Sequence, residues 1–414
     1  MSERSIPHHG QGASDTPPSI PTANLRFLKG DLFERAVSVT RELAATASRR
    51  DREGGTAKAE RDLLRRSGLL RTIIPAEFGG LGASWPEVLD IVRLFARVDG
   101  SLAHLFGFQH LLLASARLFG TPTQWQRLYR ETAVNDWFWG NALNPLDPST
   151  TISASGSAFE VNGRKSFSSG SVDADQLLIS AVDSVTGKLV IAAIPGNRKG
   201  LAVLGDWDNM GQRQTDSGTV EFHHVPIERD EIFLDPGPLG NTFATLRPLI
   251  AQLTLTNLYI GIAEGAVHAA RKYTLTSRRA WPQSTAASPA EDPLVLRRYG
   301  EFTVAVAGAA ALADRAALSL DEDYASENAL SPERRGATAI EIATAKVAAT
   351  KAALEVTSDV FDVTGARATA TRVNLDRFWR NARTHTLHDP VDFKLIELGS
   401  HTLNSALPQP SFFS

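Results

Sequence analysis

The spacing of apolar and polar positions changes twice along the chain. From about Asn24 to Trp139 it is helical: Leu63 and Leu64 share one face of a segment that Thr56 would cap and Gly68 would end. The stretch Val88–Phe119 is largely apolar, with breaks at Asp99, Gly100 and Gly107, and predicts one or two buried helices. Between Ser149 and about Asp235 the texture becomes β. Phe159-Glu160-Val161 runs into Asn162-Gly163, which predicts a hairpin turn. Leu177–Val182 and Leu189–Ile194, joined across Asp183–Gly187, predict a second strand pair. Val220-Glu221-Phe222 leads to Val225-Pro226, where proline marks a strand end. From about Asn241 to Leu398 helical spacing returns in Ala244–Thr276, Leu294–Leu318 and Gly336–Phe361, with a Pro/Ser-rich loop at Trp281–Pro293. The expected layout is a disordered arm (1–22), an N-terminal helical domain (23–148), a small β domain (149–238) and a C-terminal helical domain (239–414).

Composition narrows the function classes. The chain has 414 residues, a formal net charge of -3 and no cysteine. Disulfides, thiolate metal sites, iron–sulfur clusters and a cysteine nucleophile are therefore excluded, and nothing points to a nucleic-acid surface or a polybasic membrane patch. The polar N-terminal arm is no signal peptide, and no continuous apolar run reaches the roughly 18 residues of a membrane span, so a soluble, cytoplasmic protein is expected. There is no GxGxxG after a strand, no Walker loop, no GxSxG and no HExxH. Gly79-Gly80-Leu81-Gly82 follows no βα turn and reads as a surface loop.

Ten histidines are present. The tightest cluster is His385, His388 and Asp389, at a helix end that Asp389-Pro390 terminates. Its chemistry admits metal ligation, proton transfer near neutrality, or plain capping of the helix end. His104 lies in an apolar segment beside Phe106 and Phe108, where an imidazole is more often core than catalyst. In the β region, Lys165-Ser166-Phe167-Ser168-Ser169-Gly170 sets hydroxyls beside a glycine, and 211–218 does the same. Such turns let a flat ring approach backbone amides, or are simply polar turns.

Taken together, Ile74-Pro75-Ala76-Glu77-Phe78-Gly79-Gly80, Asn162-Gly163-Arg164-Lys165-Ser166-Phe167, Met210-Gly211-Gln212-Arg213, Phe222-His223-His224-Val225-Pro226 and Gly365-Ala366-Arg367 resemble the acyl-CoA dehydrogenase superfamily. The segments 99–107, 213–218 and 376–390 resemble its flavin-dependent monooxygenase branch, which includes dibenzothiophene monooxygenase. The resemblance implies an α+β fold: an N-terminal helical domain, a central small β-barrel and a C-terminal four-helix bundle, assembled as a homotetramer. It also implies a two-component enzyme that takes reduced FMN, with FAD as the alternative, from an NAD(P)H-dependent flavin reductase. A C4a-hydroperoxyflavin formed with O2 would oxygenate a small heteroaromatic, organosulfur compound. Related activities on an indole, phenol, amine or alkyl sulfone stay open, and a dehydrogenase is the further alternative.

The site residues follow from the same resemblance. Asn141, Ser169, His104, His385 and His388 line the reaction site, with His104 or His388 supplying a proton. Phe167, Ser168 and Trp207 flank the flavin ring, and Gly365, Arg279 and Arg367 (the last from a neighbouring subunit) hold its phosphate. Phe108 and Trp281 line the substrate pocket. Two departures matter. The dehydrogenases' catalytic glutamate falls where this chain has Asp389-Pro390, and about 1 Å of lost reach costs proton abstraction on the order of a hundredfold. The monooxygenase pattern has Tyr-His where this chain has Phe108-Gln109, and the loops 143–150 and 281–293 differ as well, so the substrate is expected to differ from dibenzothiophene.

Overall fold

The computed structural model describes residues 25–156, 158–277 and 280–414; the expected arm 1–22 lies outside them. The N-terminal part holds α1 (Gly30–Glu53), α2 (Lys58–Ser67), α3 (Trp85–Ala96), α4 (Gly100–Phe119) and α5 (Pro122–Asn135). The apolar run 88–119 is two helices, and Asp99 makes the break. Its carboxylate accepts the Leu102 N–H at 3.0 Å, capping α4, and pairs with Arg50 at 2.6 Å. Gly68 ends α2 in the left-handed region, as expected. Thr56 does not cap it. Ala57 holds that position, and the Thr56 hydroxyl instead donates to Asp216.

The β region contains β1 (Trp139–Ala142), β2 (Thr150–Ser155), β3 (Ala158–Lys165), β4 (Gln176–Asp183), β5 (Leu189–Pro195), β6 (Leu201–Val203) and β7 (Val220–Ile227). Their order is β1-β4-β2-β3-β7-β6, with β5 on the other edge of β4. β1 lies ahead of residue 149, where the alternation begins; all four of its residues are buried, so it carries no alternating signal. The predicted hairpin at Asn162-Gly163 is a correction. β3 runs straight through it, and a register shift against β7 at Val161/Gly163 makes the dipeptide a bulge. Gly163 has φ +123°, and a Cβ there would lie 2.0 Å from the Ser149 carbonyl oxygen. The β2–β3 reversal follows Gly156 instead, at φ +63°. The β4–β5 hairpin forms as expected, the Asp183 carboxylate accepting the Val185 and Thr186 N–H groups. Among the described residues no ladder joins β5 to β6, and the far edge of β5 takes a single bridge, Ala192 to Ile232.

The C-terminal part is α6 (Leu246–Thr276), α7 (Pro293–Ser326), α8 (Pro332–Thr364), α9 (Asp376–Thr386) and α10 (Val391–Asn404). Three long helices pack on one another, and the short pair α9 and α10 closes against α8. By length and composition α7 would suit a bilayer, yet it packs along α6 and α8 within the bundle. Helix α6 also runs antiparallel to α4: Gly107 faces Thr254, and Ser115 meets Arg247. A Cβ at Gly107 would fall 2.5 Å from the Thr254 methyl, so the close approach of these helices depends on that glycine.

The bulge gives a testable consequence. Gly163→Ala forces both a left-handed backbone and a collision with the neighbouring strand start, and is expected to lower stability by more than about 1 kcal/mol in urea unfolding. A change within error would show that the bulge relaxes freely.

Candidate active site

Two clusters face each other across α4. The first forms where α4, α6 and the α9–α10 link meet. His104 on α4 is buried, with its ring centroid 4.0 Å from Phe108 and 4.7 Å from His385. Tyr259 on α6 donates its hydroxyl to the His385 carbonyl at 3.0 Å, which holds the last turn of α9 in place. The His388 N–H closes on the same carbonyl at 3.0 Å, and Pro390 then ends the turn. His388 is exposed on the surface of that turn. Asp389 is buried and occupied: Gln252 donates to it at 2.6 Å, and the Lys346 ammonium, itself donating to Gln252, stands 3.8 Å away. Among the described residues no three His, Asp or Glu side chains gather into a metal-ligand set.

The second cluster joins the two turns noted in the sequence, 165–170 and 211–218. The Asn141 N–H on β1 donates to the Ser169 carbonyl at 2.8 Å. Ser169 and Ser217 hydroxyls lie 2.7 Å apart, as do those of Ser217 and Thr215. Ser168 and Gly170 N–H groups donate to the carbonyls of Gly218 and Thr215. Phe167 sits at φ +58°, a costly setting for an aromatic residue, and leaves 66% of its surface exposed beside Trp207, centroids 6.1 Å apart. Trp207 is steadied by its indole N–H on the Gln212 carbonyl at 2.8 Å. An exposed aromatic edge next to a hydroxyl-lined turn fits a flat, hydrogen-bonding ring such as a flavin.

Gln109, noted in the sequence only as a departure, connects the clusters. From inside α4 its amide donates to the Leu70 and Trp137 carbonyls and accepts the Trp139 N–H at 2.8 Å, fixing β1 and thus Asn141 against the helix that carries His104. The turn touches that helix as well: a Cβ at Gly170 would lie 3.3 Å from Leu105. Other expected residues stay apart. Gly365 and Arg367 are exposed beyond the end of α8. Trp281 is 72% exposed, with no ring contact to Phe108 among the described residues, and Arg279 lies outside those residues. Tyr259, Gln252 and Lys346 were given no role from sequence; a polar residue in an otherwise apolar helix was the signal available for them.

Burial pushes the His104 imidazole down to about 3, with His388 adding to the fall. Burial, then His104 and His388, hold His385 well below the usual range. Burial and Lys346 lower His388 against the pull of Asp389. Burial thus holds His104 and His385 neutral near pH 7, so a standing imidazolium at His104 is not what the free site offers. It offers neutral rings, and the buried Nδ1 atoms of His104 and His385 have no hydrogen-bond partner among the described residues. An unfolded chain protonates His104 near 6.5, whereas the folded chain does so only near 3, so stability is expected to fall as pH drops through that window. Thermal melts between pH 7 and 4.5 should show His104→Asn with a shallower acid loss than the parent; equal slopes would refute the assignment.

Family models match the chain in order: acyl-CoA dehydrogenase N-terminal domain over residues 35–135, middle domain over 141–225 and C-terminal domain over 253–393. A probable FMNH2-dependent monooxygenase, SfnC of Pseudomonas putida, is 54% identical over 92% of this chain and 97% of its own length. The structure of methanesulfinate monooxygenase MsuC from Pseudomonas fluorescens superposes with a TM-score of 0.92 at 54% identity, covering 94% of this chain and 100% of that one. Dibenzothiophene monooxygenase TdsC from Paenibacillus sp. A11-2, solved with FMN bound, gives 0.88 at 41% identity, covering 92% and 99%. With all three domains matched in sequence order, and relatives of this kind aligned along nearly its whole length, the chain belongs to the acyl-CoA dehydrogenase family, in its branch of flavin-dependent monooxygenases.

Proposed function

We propose that the chain is the oxygenase of a two-component system, taking reduced FMN from an NAD(P)H-dependent reductase in the cytoplasm and oxygenating the sulfur of a small organosulfur compound. The observation that carries this reading is the state of Asp389. A dehydrogenase needs a free carboxylate where Asp389 lies, but this one is held by Gln252 and faces Lys346, so it has no freedom to take a substrate proton. What the site presents instead is the pair of unpartnered imidazole nitrogens beside Phe108.

Reduced FMN, when bound, supplies the two electrons that activate O2. The chain's own residues do the rest. Phe167 and Trp207 cover the ring and exclude water; Ser169 and Asn141 address its polar edge. His104 and His385 orient the reacting oxygen and the substrate through their free nitrogens, and His388 closes the exposed side. Arg367 of a neighbouring subunit, with Arg279, meets the phosphate. For the substrate, 54% identity to a methanesulfinate monooxygenase against 41% to a dibenzothiophene monooxygenase favours a small sulfinate or sulfone, with dibenzothiophene the second reading.

The test mixes protein and reduced FMN with oxygenated buffer and methanesulfinate, dimethyl sulfone or dibenzothiophene, and identifies products by mass spectrometry. For methanesulfinate, one O2 and one FMNH2 should yield one methanesulfonate, one water and oxidised FMN. No oxygenated product, together with bleaching of the FMN-loaded protein by an acyl-CoA, would make it a dehydrogenase. His385→Ala is expected to lower product formation about a hundredfold or more while FMN binding stays within twofold.

A homotetramer is part of the same proposal. Phe393, Ile396 and Leu403 on α10 and Leu294 and Val304 on α7 are exposed, more apolar surface than a lone chain keeps without cause. Light scattering after gel filtration should give about four times 44.7 kDa, and Ile396→Glu should shift it to smaller species.

A further inference from the structure

The contact between α4 and α6 carries one charge too many. Arg247 lies near the start of α6, 7% exposed, and its Nε donates to the Ser115 hydroxyl on α4 at 3.3 Å. Among the described residues no carboxylate pairs with it, and neither of its terminal nitrogens has a hydrogen-bond partner. It is close enough to His388 for its charge to oppose protonation of that ring. Lys346, 1% exposed, is the second cation beside His388, and the one buried carboxylate there, Asp389, is already matched to it. A third buried cation, Lys394, also faces Lys346 and is paired with Glu397 at 3.1 Å, so three cations against two carboxylates leave a surplus of one positive charge. Arg335 is also buried without an ion pair, but the hydroxyl and carbonyl of Thr245 take its Nε and one terminal nitrogen, leaving only Nη1 without a partner.

An unmatched buried cation is costly, and proteins hold one where a ligand supplies the opposite charge. A guanidinium offers a planar fork of N–H donors that suits two oxygens on one atom, the geometry of a sulfinate or sulfonate head. We propose that Arg247 is the residue that selects a small organosulfur oxyanion over neutral sulfur compounds, its unpaired guanidinium at the α4–α6 contact near His388 balancing the substrate's charge. This rests on the oxygenase reading for what happens to the ligand, and on the unpaired guanidinium alone for what binds. Arg247 burial, without any nearby acid, holds its guanidinium at about 10, still charged at neutral pH. Dibenzothiophene, uncharged and flat, would leave that charge unanswered.

Methanesulfinate and dimethyl sulfoxide are both three-coordinate and pyramidal at sulfur, so they nearly share a shape and differ by one negative charge. Calorimetric titration of the FMN-loaded wild-type chain should give at least tenfold tighter binding of methanesulfinate. Arg247→Met should reduce that preference to within about twofold, and Arg247→Lys should restore part of it, with FMN affinity by fluorescence quenching within twofold in each. A wild-type chain that binds both ligands alike overturns the proposal, and so does an Arg247→Met chain that binds FMN normally and keeps the preference. Charge-selective binding without oxygenated product would sink the oxygenase reading and leave Arg247's role standing; oxygenation without charge selectivity would do the reverse.

Discussion

A helix surrounded on every side by protein can carry polar groups only where something answers them, and α4 is such a helix. Nineteen of its residues are buried, yet it includes His104, Gln109 and Ser115. Gln109 is answered by the backbone leading into β1, which makes it the joint between the helical layer and the sheet. Ser115 donates to its own helix, and its oxygen is met by Arg247 on α6. His104 and His110 keep unanswered ring nitrogens, and of the two His104 is the one whose ring meets His385. The demand that buried polar groups be satisfied thus locates the joint and the reaction site on one helix, less than two turns apart.

The same constraint organises the bundle side. Lys346 reaches across from α8 and is drawn down to about 8 by burial, with Asp389 pulling the other way. Gln252 stands between them, accepting from the ammonium and donating to the carboxylate. That triad turns the position at which related dehydrogenases keep a base into a fixed support for the α9–α10 link. Tyr259 does comparable work on the His385 carbonyl. Reactive-looking groups here are held still, while the Nδ1 atoms of His104 and His385 and the terminal nitrogens of Arg247 have no partner among the described residues.

Much of this was legible from the chain. The β4–β5 hairpin, Gly68 as a helix stop and the Asp389-Pro390 stop rest on local backbone preferences, which act the same way in any surroundings. Thr56 and Asn162-Gly163 misled because tertiary neighbours overrode local preference: Asp216 took the threonine hydroxyl, and the start of β2 crowded the dipeptide into a bulge. β1 escaped notice because a strand buried on both faces has no alternation to read.

The sequence by itself determined the three-part succession of helices, strands and helices, the absence of cysteine chemistry, the family, and the residue types available for a flavin site, since these follow from periodicity, composition and motif order. Only the tertiary structure decided which of those residues meet. His104 and His385 are 281 positions apart in the numbering and 4.7 Å apart as rings; Arg247 and Ser115 touch across antiparallel helices. The neutrality of the histidines, the occupation of Asp389 and the surplus charge at Arg247 are consequences of burial and of neighbours brought in from distant segments. No local pattern encodes them, because solvation and Coulomb energies depend on distances in space rather than along the chain.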